Sequence, residues 1–238
     1  MKVEFYIPQT LADIKLKEMQ EFQKLVEDHK DNEDAASFLH NKMIQIFCRV
    51  PLSVVNCMRK KDYEDTIEHL TKVINSTSKH VIKFDLFDTE FGFIPKLDDI
   101  TAGEFADLEN YLTDFNNAHK SMAVLYRPIK KTWLQKVFKS KSKDKYDIID
   151  YNGTGDYSDV MKEMPMNVVQ GAMVFFWNLK RELSISTLKY TKEEMQKQKT
   201  LGLVGNGDGI NPLIQSLEAI ITELNKFPKS DYMKYYTI

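Results

Sequence analysis

An apolar run, His80-Val-Ile-Lys-Phe84, leads into Asp85-Leu86-Phe87-Asp88-Thr89, and a strand ending on an aspartate is a setting in which a hydrolase can present a carboxylate nucleophile. That chemistry needs the strand at the heart of a parallel sheet, where crossover helices bring a Ser or Thr, a Lys and further carboxylates to one edge. A second extended run starts at Phe91, too soon for a crossover helix, and most of the following chain has helical periodicity. Asp85 therefore predicts a surface carboxylate beside a hairpin turn, and no enzymatic activity is expected of it.

Other residue types that could do chemistry lack the required spacing. Gly202, Gly205, Gly207 and Gly209 have no Gly-Lys-Ser/Thr ending, no preceding strand and no Rossmann spacing, so a phosphate cradle is not expected. Asp208 has neither the alternating ligands nor the distal Glu of a calcium loop. His29, His40, His69, His80 and His119 include no pair four residues apart, the spacing that sets two ligands on one helix face. Cys48 and Cys57, both in apolar helical surroundings, read as small buried hydrophobes. Asp98, Asp99 and Glu104 cluster where a helix begins, and the helix dipole and capping suffice to explain them. No cofactor and no metal site is expected.

The feature with a physical case for contact is the segment 129–145, with lysine at 130, 131, 136, 139, 141, 143 and 145 against the single acid Asp144. Trp133, Leu134, Val137 and Phe138 recur there at helical spacing, so a short helix would carry an apolar stripe flanked by charge. A solvated loop whose Trp133 packs back on its own domain is the alternative. Without arginine and the aromatic spacing of a base-stacking platform, a protein partner is favoured over nucleic acid. The expected partner-binding residues are Trp133, Lys136, Phe138, Lys139 and Lys141, with Tyr232, Tyr235 and Tyr236 of the aromatic tail.

The elements that must position these residues follow from periodicity. The chain has 238 residues, 42% of them hydrophobic, enough for a sizeable core, and its formal net charge of -2 creates no global field for nucleic acid or an acidic membrane. The N-terminus lacks the apolar core of a signal peptide, and the longest apolar run, 172–177, is far short of a membrane span. Val3, Phe5 and Ile7 alternate as an edge strand would; Lys15 to His29, Asp34 to Arg49 and Tyr63 to Ile74 have helical spacing, the last with Asp62 as N-cap. Val81 to Phe87 and Phe91 to Ile94 predict a β-hairpin turning at 88–90. Thr101 and Glu104 fit a capping box for a helix whose one face is Phe105, Leu108, Leu112 and Phe115. Ala118 to Tyr126 predicts a further helix, Tyr146 to Tyr151 a returning strand, and Ser158 to Met164 a short helix. Pro165 starts the longest helix, through residue 186, whose apolar surroundings place it mid-domain, and Asn211-Pro212 opens a last amphipathic helix with Leu213, Ile214, Leu217, Ile220, Ile221 and Leu224. The expectation is a mainly α (α+β) fold, a multi-helix domain of about eight helices. A small antiparallel β element drawn from 3–7, 81–94 and 145–151 completes one domain over 1–238, and the Lys-rich insertion at 129–145 is exposed.

The packing residues in FGFIPKLDDITAGEFADLENYL (91–112), NAHKSMAVLYRPIK (117–130) and YNGTGDYSDVMKEMPMNVVQGAMVFFWNL (151–179) resemble a family of small proteins in the structural gene modules of tailed bacteriophages, including crAss-like phages. IPQTLADIKLKEMQEFQKLV (7–26) and KMIQIFCRV (42–50) are similar to the same group. The resemblance implies a non-enzymatic virion protein, a ring or connector subunit of the portal-tail assembly that contacts portal, tail or ring proteins and copies of itself. A tail assembly chaperone, absent from the mature virion, is the alternative. It implies no catalytic residue.

Overall fold

Leu16, Met19, Phe22 and Val26 fall at three- and four-residue steps, and they are the buried face of α1 (Leu16–Asp28). Leu39, Met43, Ile44 and Phe47 do the same for α2 (Ala36–Phe47), and the Phe22 and Phe47 rings meet edge to face at 5.2 Å between centroids. In this computed structural model residues 4–96, 100–130, 146–200 and 210–226 are described. They belong to two compact units, Met1–Gly171 and Ala172–Ile238. The fold is mainly helical with a small three-stranded antiparallel sheet.

In the first unit, α1 and α2 are followed by α3 (Leu52–Asn56), α4 (Lys60–Ile74), β1 (Lys83–Leu86), β2 (Thr89–Phe93), α5 (Ala102–Tyr111), α6 (Ala118–Leu125), β3 (Tyr126–Pro128) and α7 (Ser158–Met161). α2 ends in a Schellman turn: Val50 N donates to Gln45 O at 3.2 Å while Arg49 takes φ +56°. Glycine usually occupies such a position. Arg49 is held there because its Nε donates to Glu18 Oε1 at 2.6 Å and its Nη2 to Asp13 O at 3.0 Å. The stretch between α2 and α4 is helical up to Asn56, and it leaves Cys57 exposed while Cys48 is buried. The expectation of two buried thiols thus holds for Cys48 alone, because Cys57 caps a helix of under two turns that presents only Val55 to the core. The N-cap of α4 is Arg59, and Asp62 lies inside its first turn.

The expected hairpin forms two of the three strands of the sheet, and the other two expected segments do not supply the third. Residues 4–9 are not in it, and the third strand is β3, in the order β1-β2-β3. Pro8 donates no ladder bond, and its carbonyl accepts from the His69 ring at 2.8 Å instead. Tyr126–Pro128, expected as a helix end before a proline, pairs with Phe91–Phe93 and is buried throughout. Residues 146–151 contribute a single bridge, Ile129 to Ile148. An aromatic cluster of Phe84, Phe91, Phe93 and Tyr126, with centroid separations of 5.2 to 5.6 Å, seals the sheet against the helices. The Tyr126 hydroxyl donates to Val81 O at 2.6 Å, and burial raises its phenol well above the ordinary value.

α8 (Met166–Thr200) starts in the first unit where Pro165 bridges Lys15 and Met166 N donates to Ile14 O at 2.8 Å. A Cβ on Gly171 would lie 2.3 Å from Lys79 O, so only glycine lets the helix approach that backbone so closely. The second unit contains the rest of α8 and α9 (Ile210–Lys226).

Candidate functional site

From residue 174 to 197, only Ser184 is buried, and no residue of α9 whose side chain is described is buried. This corrects the expectation of a central helix enclosed by others: only up to Met173 is α8 buried on most sides, whereas Leu183 and Tyr190 are 60% and 66% exposed. The residues named mid-domain by hydropathy carry their apolar atoms onto a surface.

Two polar links tie the helices of the second unit together. Arg181 Nε donates to Asn225 Oδ1 at 2.8 Å, and Lys192 Nζ meets Glu218 Oε1 at 2.7 Å. A higher number on one helix pairs with a lower number on the other, so the helices run antiparallel. Trp177, Arg181, Ser184, Leu188, Thr191 and Met195 repeat at steps of four and three and are the better-covered side of α8. At 100° per residue, Leu183 lies about 200° around the helix from Arg181, Tyr190 about 200° from Lys192, and Ile220 about 200° from Glu218. Leu213 shares the side of Ile220, seven residues on. Leu183, Tyr190, Leu213 and Ile220 are thus exposed on the side of the hairpin away from its polar links, Leu213 and Ile220 at 47% and 37%, while Val174 and Ile185, seven residues before and four after Arg181, leave apolar atoms exposed on the linked side as well. A helix pair with several exposed apolar side chains on one side marks an interaction site more often than a single exposed Leu does.

Asp85 occupies the exposed position of β1, an edge strand of the antiparallel sheet, directly across from Glu90. That is a solvated carboxylate beside a turn, without the parallel-sheet edge that nucleophilic use requires. Among the described residues no group of three or more His, Cys, Asp or Glu side chains is placed to hold a metal ion, and no helix is long and apolar enough to cross a membrane. Trp133, Lys136, Phe138, Lys139, Lys141, Tyr232, Tyr235 and Tyr236, the expected partner-binding residues, all lie outside the described residues, as does the glycine cluster.

The most enclosed polar group is a clamp. Glu104, the capping-box residue of α5, accepts from Thr101 N and Thr101 Oγ1, both at 2.7 Å, through one oxygen and meets Arg127 Nη2 at 2.5 Å through the other. Both charged side chains are buried. Arg127 lies over the Tyr151 ring, and the Tyr151 hydroxyl donates to Asp107. Burial first, and then the Asp107 carboxylate, raise the Tyr151 phenol above its ordinary value. Every oxygen of Glu104 is already engaged, so the group ties α5 to β3 and offers no general base.

The exposed face of the hairpin is the site that hydropathy along the sequence missed. Its signal was present as the steps of three and four that link Leu183, Thr187 and Tyr190. The apolar run at 172–177 hid it by making the helix look enclosed on all sides. Comparison of the chain with protein-family models, with curated proteins and with solved structures finds no match.

Proposed function

We propose that the chain is a non-enzymatic assembly protein of a tailed-phage particle, a ring or connector subunit of the portal-tail region that works by docking onto other polypeptides. The observation that carries the docking reading is the second unit: two antiparallel helices in which, over 174–197 and among the described side chains of α9, only Ser184 is buried and the covered side is half-buried, with Leu183, Tyr190, Leu213 and Ile220 facing solvent. A helix pair gains most of its stability from burying an amphipathic face, so a pair with this much apolar surface open is a half-interface. Tyr190 is the natural anchor, since a tyrosine brings large contact area at low entropic cost and keeps a polar tip. The phage assignment rests on the packing residues of 7–26, 42–50, 91–112, 117–130 and 151–179, which resemble phage structural-module proteins. Portal, tail and ring proteins are the neighbours it implies.

Mass spectrometry of purified particles of the phage encoding the chain is the test. A ring or connector subunit is present at a fixed copy number relative to the portal protein. Absence from mature particles, with association to tail proteins in infected cells, would move the assignment to a tail assembly chaperone. Charge reversal at Lys136, Lys139 and Lys141 addresses the Lys-rich segment separately, with particle assembly as the readout.

A further inference from the structure

We propose that the open face of the hairpin is a self-association surface, and that it takes a second copy of this chain with the two α8 helices antiparallel. The inference rests on the docking reading above and names its partner.

The exposed stripe of α8 is self-complementary. Lys180, Leu183, Thr187, Tyr190 and Glu194 follow steps of three, four, three and four. That spacing makes one stripe of two heptads, about 21 Å long at 1.5 Å per residue. Thr187 stands at its centre: Lys180 is seven residues before it and Glu194 seven after, with Leu183 and Tyr190 between. A two-fold axis through Thr187 sets Lys180 of one copy against Glu194 of the other, and Leu183 against Tyr190, each twice. A closed pair with one patch used by both subunits requires this arrangement. In the parallel arrangement Lys180 would face Lys180 and Glu194 would face Glu194, and like charges in contact are unfavourable. Glu194 already meets Lys197 at 2.7 Å within the helix, but an exposed pair three residues apart is weak and leaves the carboxylate able to re-pair. Leu213 and Ile220 of α9 are exposed on the same side of the hairpin and extend the contact, so two hairpins laid together form a four-helix bundle with the Arg181–Asn225 and Lys192–Glu218 links outside.

Light scattering coupled to size exclusion, on the full chain over a wide concentration range, is the first measurement. The chain is expected to be dimeric, and the double variant Leu183→Glu, Tyr190→Glu monomeric with unchanged circular dichroism, since both side chains are exposed. Lys180→Glu is expected to weaken the dimer about tenfold by facing two glutamates, and Lys180→Glu with Glu194→Lys to restore it. In a Cys57→Ser background, Thr187→Cys is expected to form a disulfide-linked dimer on mild oxidation, because the two Thr187 positions meet at the axis. A monomeric wild-type chain, a dimer that survives the double glutamate variant, or a dimer whose Thr187→Cys form does not cross-link would each overturn the proposal. So would a monomeric wild-type chain that sediments with anionic vesicles through Leu183 and Tyr190, which would give the face to a lipid surface. Failure here and failure of the assembly role are distinct: a monomer found in particles at fixed copy number removes only the self-association, and a dimer absent from particles removes only the ring or connector role.

Discussion

Phe87 sits at φ +49° and Asp88 at φ +60°, the two central positions of a two-residue hairpin turn between β1 and β2. Both positive angles are those of a type I′ turn, which favours Asn-Gly, and an aromatic side chain 68% exposed adds no packing to offset the strain. Phe87→Asn is expected to stabilise the chain by about 1 kcal/mol, the lower range of the left-handed penalty for an ordinary residue. A rise in the urea midpoint at unchanged slope measures it. The clamp at Glu104 behaves in the opposite sense. Glu104→Gln keeps the shape but leaves the Arg127 guanidinium buried without a counter-charge, and a loss of about 3 kcal/mol is expected in the same assay. A loss under half that size would mean that water reaches the pair.

Elements are joined here at their ends. The N-terminus of α1 and the entry to α8 share a short antiparallel bridge, Leu16 N donating to Met164 O and Lys17 N to Lys162 O, both at 2.9 Å. Glu163 fastens this junction, with one oxygen 2.7 Å from Lys15 Nζ and the other on Lys17. The hydrogen bond from Lys15, then that from Lys17, holds the Glu163 carboxyl below the ordinary glutamate value. A carboxyl depressed in the folded chain stabilises it above its unfolded value of about 4.3 and loses that contribution as pH falls through the folded value. Wild type is therefore expected to exceed Glu163→Gln in urea midpoint by a constant margin above about pH 5, with the margin closing as the pH is lowered past about 4. A margin that persists in acid would assign the effect to shape instead of charge. The partners are partly exposed, so the margin is small and shrinks with added salt.

At the scale of the whole molecule, the first unit has a core of its own, and the described residues of the second beyond Met173 supply none. Phe22, Phe47, Leu70, Ile74, Met122 and Tyr126 are fully buried in the first, whereas the hairpin of the second buries a lone serine among residues 174–197. If a second copy covers the hairpin, the folded state is linked to association, and its melting temperature rises with protein concentration. Calorimetry over a hundredfold concentration range, about 2.7 kcal/mol of mass-action stabilisation when ligand exceeds Kd by that factor, is expected to show an upward shift that Leu183→Glu with Tyr190→Glu abolishes. A midpoint independent of concentration in the wild type would count against association.

Periodicity alone determined the long helices, since α1, α2, α4 and α9 each carry apolar residues on one side, and that pattern is local. The capping box at Thr101 and Glu104 was legible for the same reason: donor and acceptor lie three residues apart. What only the tertiary structure decided is non-local. β3 was hidden because Tyr126–Pro128 has no alternation of its own and is a strand by virtue of lying beside Phe91–Phe93. Arg127 as the partner of Glu104 could not be read, because 23 positions of chain separate residues that the fold brings within 2.5 Å. The exposed face of α8 belongs to the same class. Whether a leucine at 183 is buried depends on what the chain folds over it, and hydropathy records only the residue's own preference for leaving water.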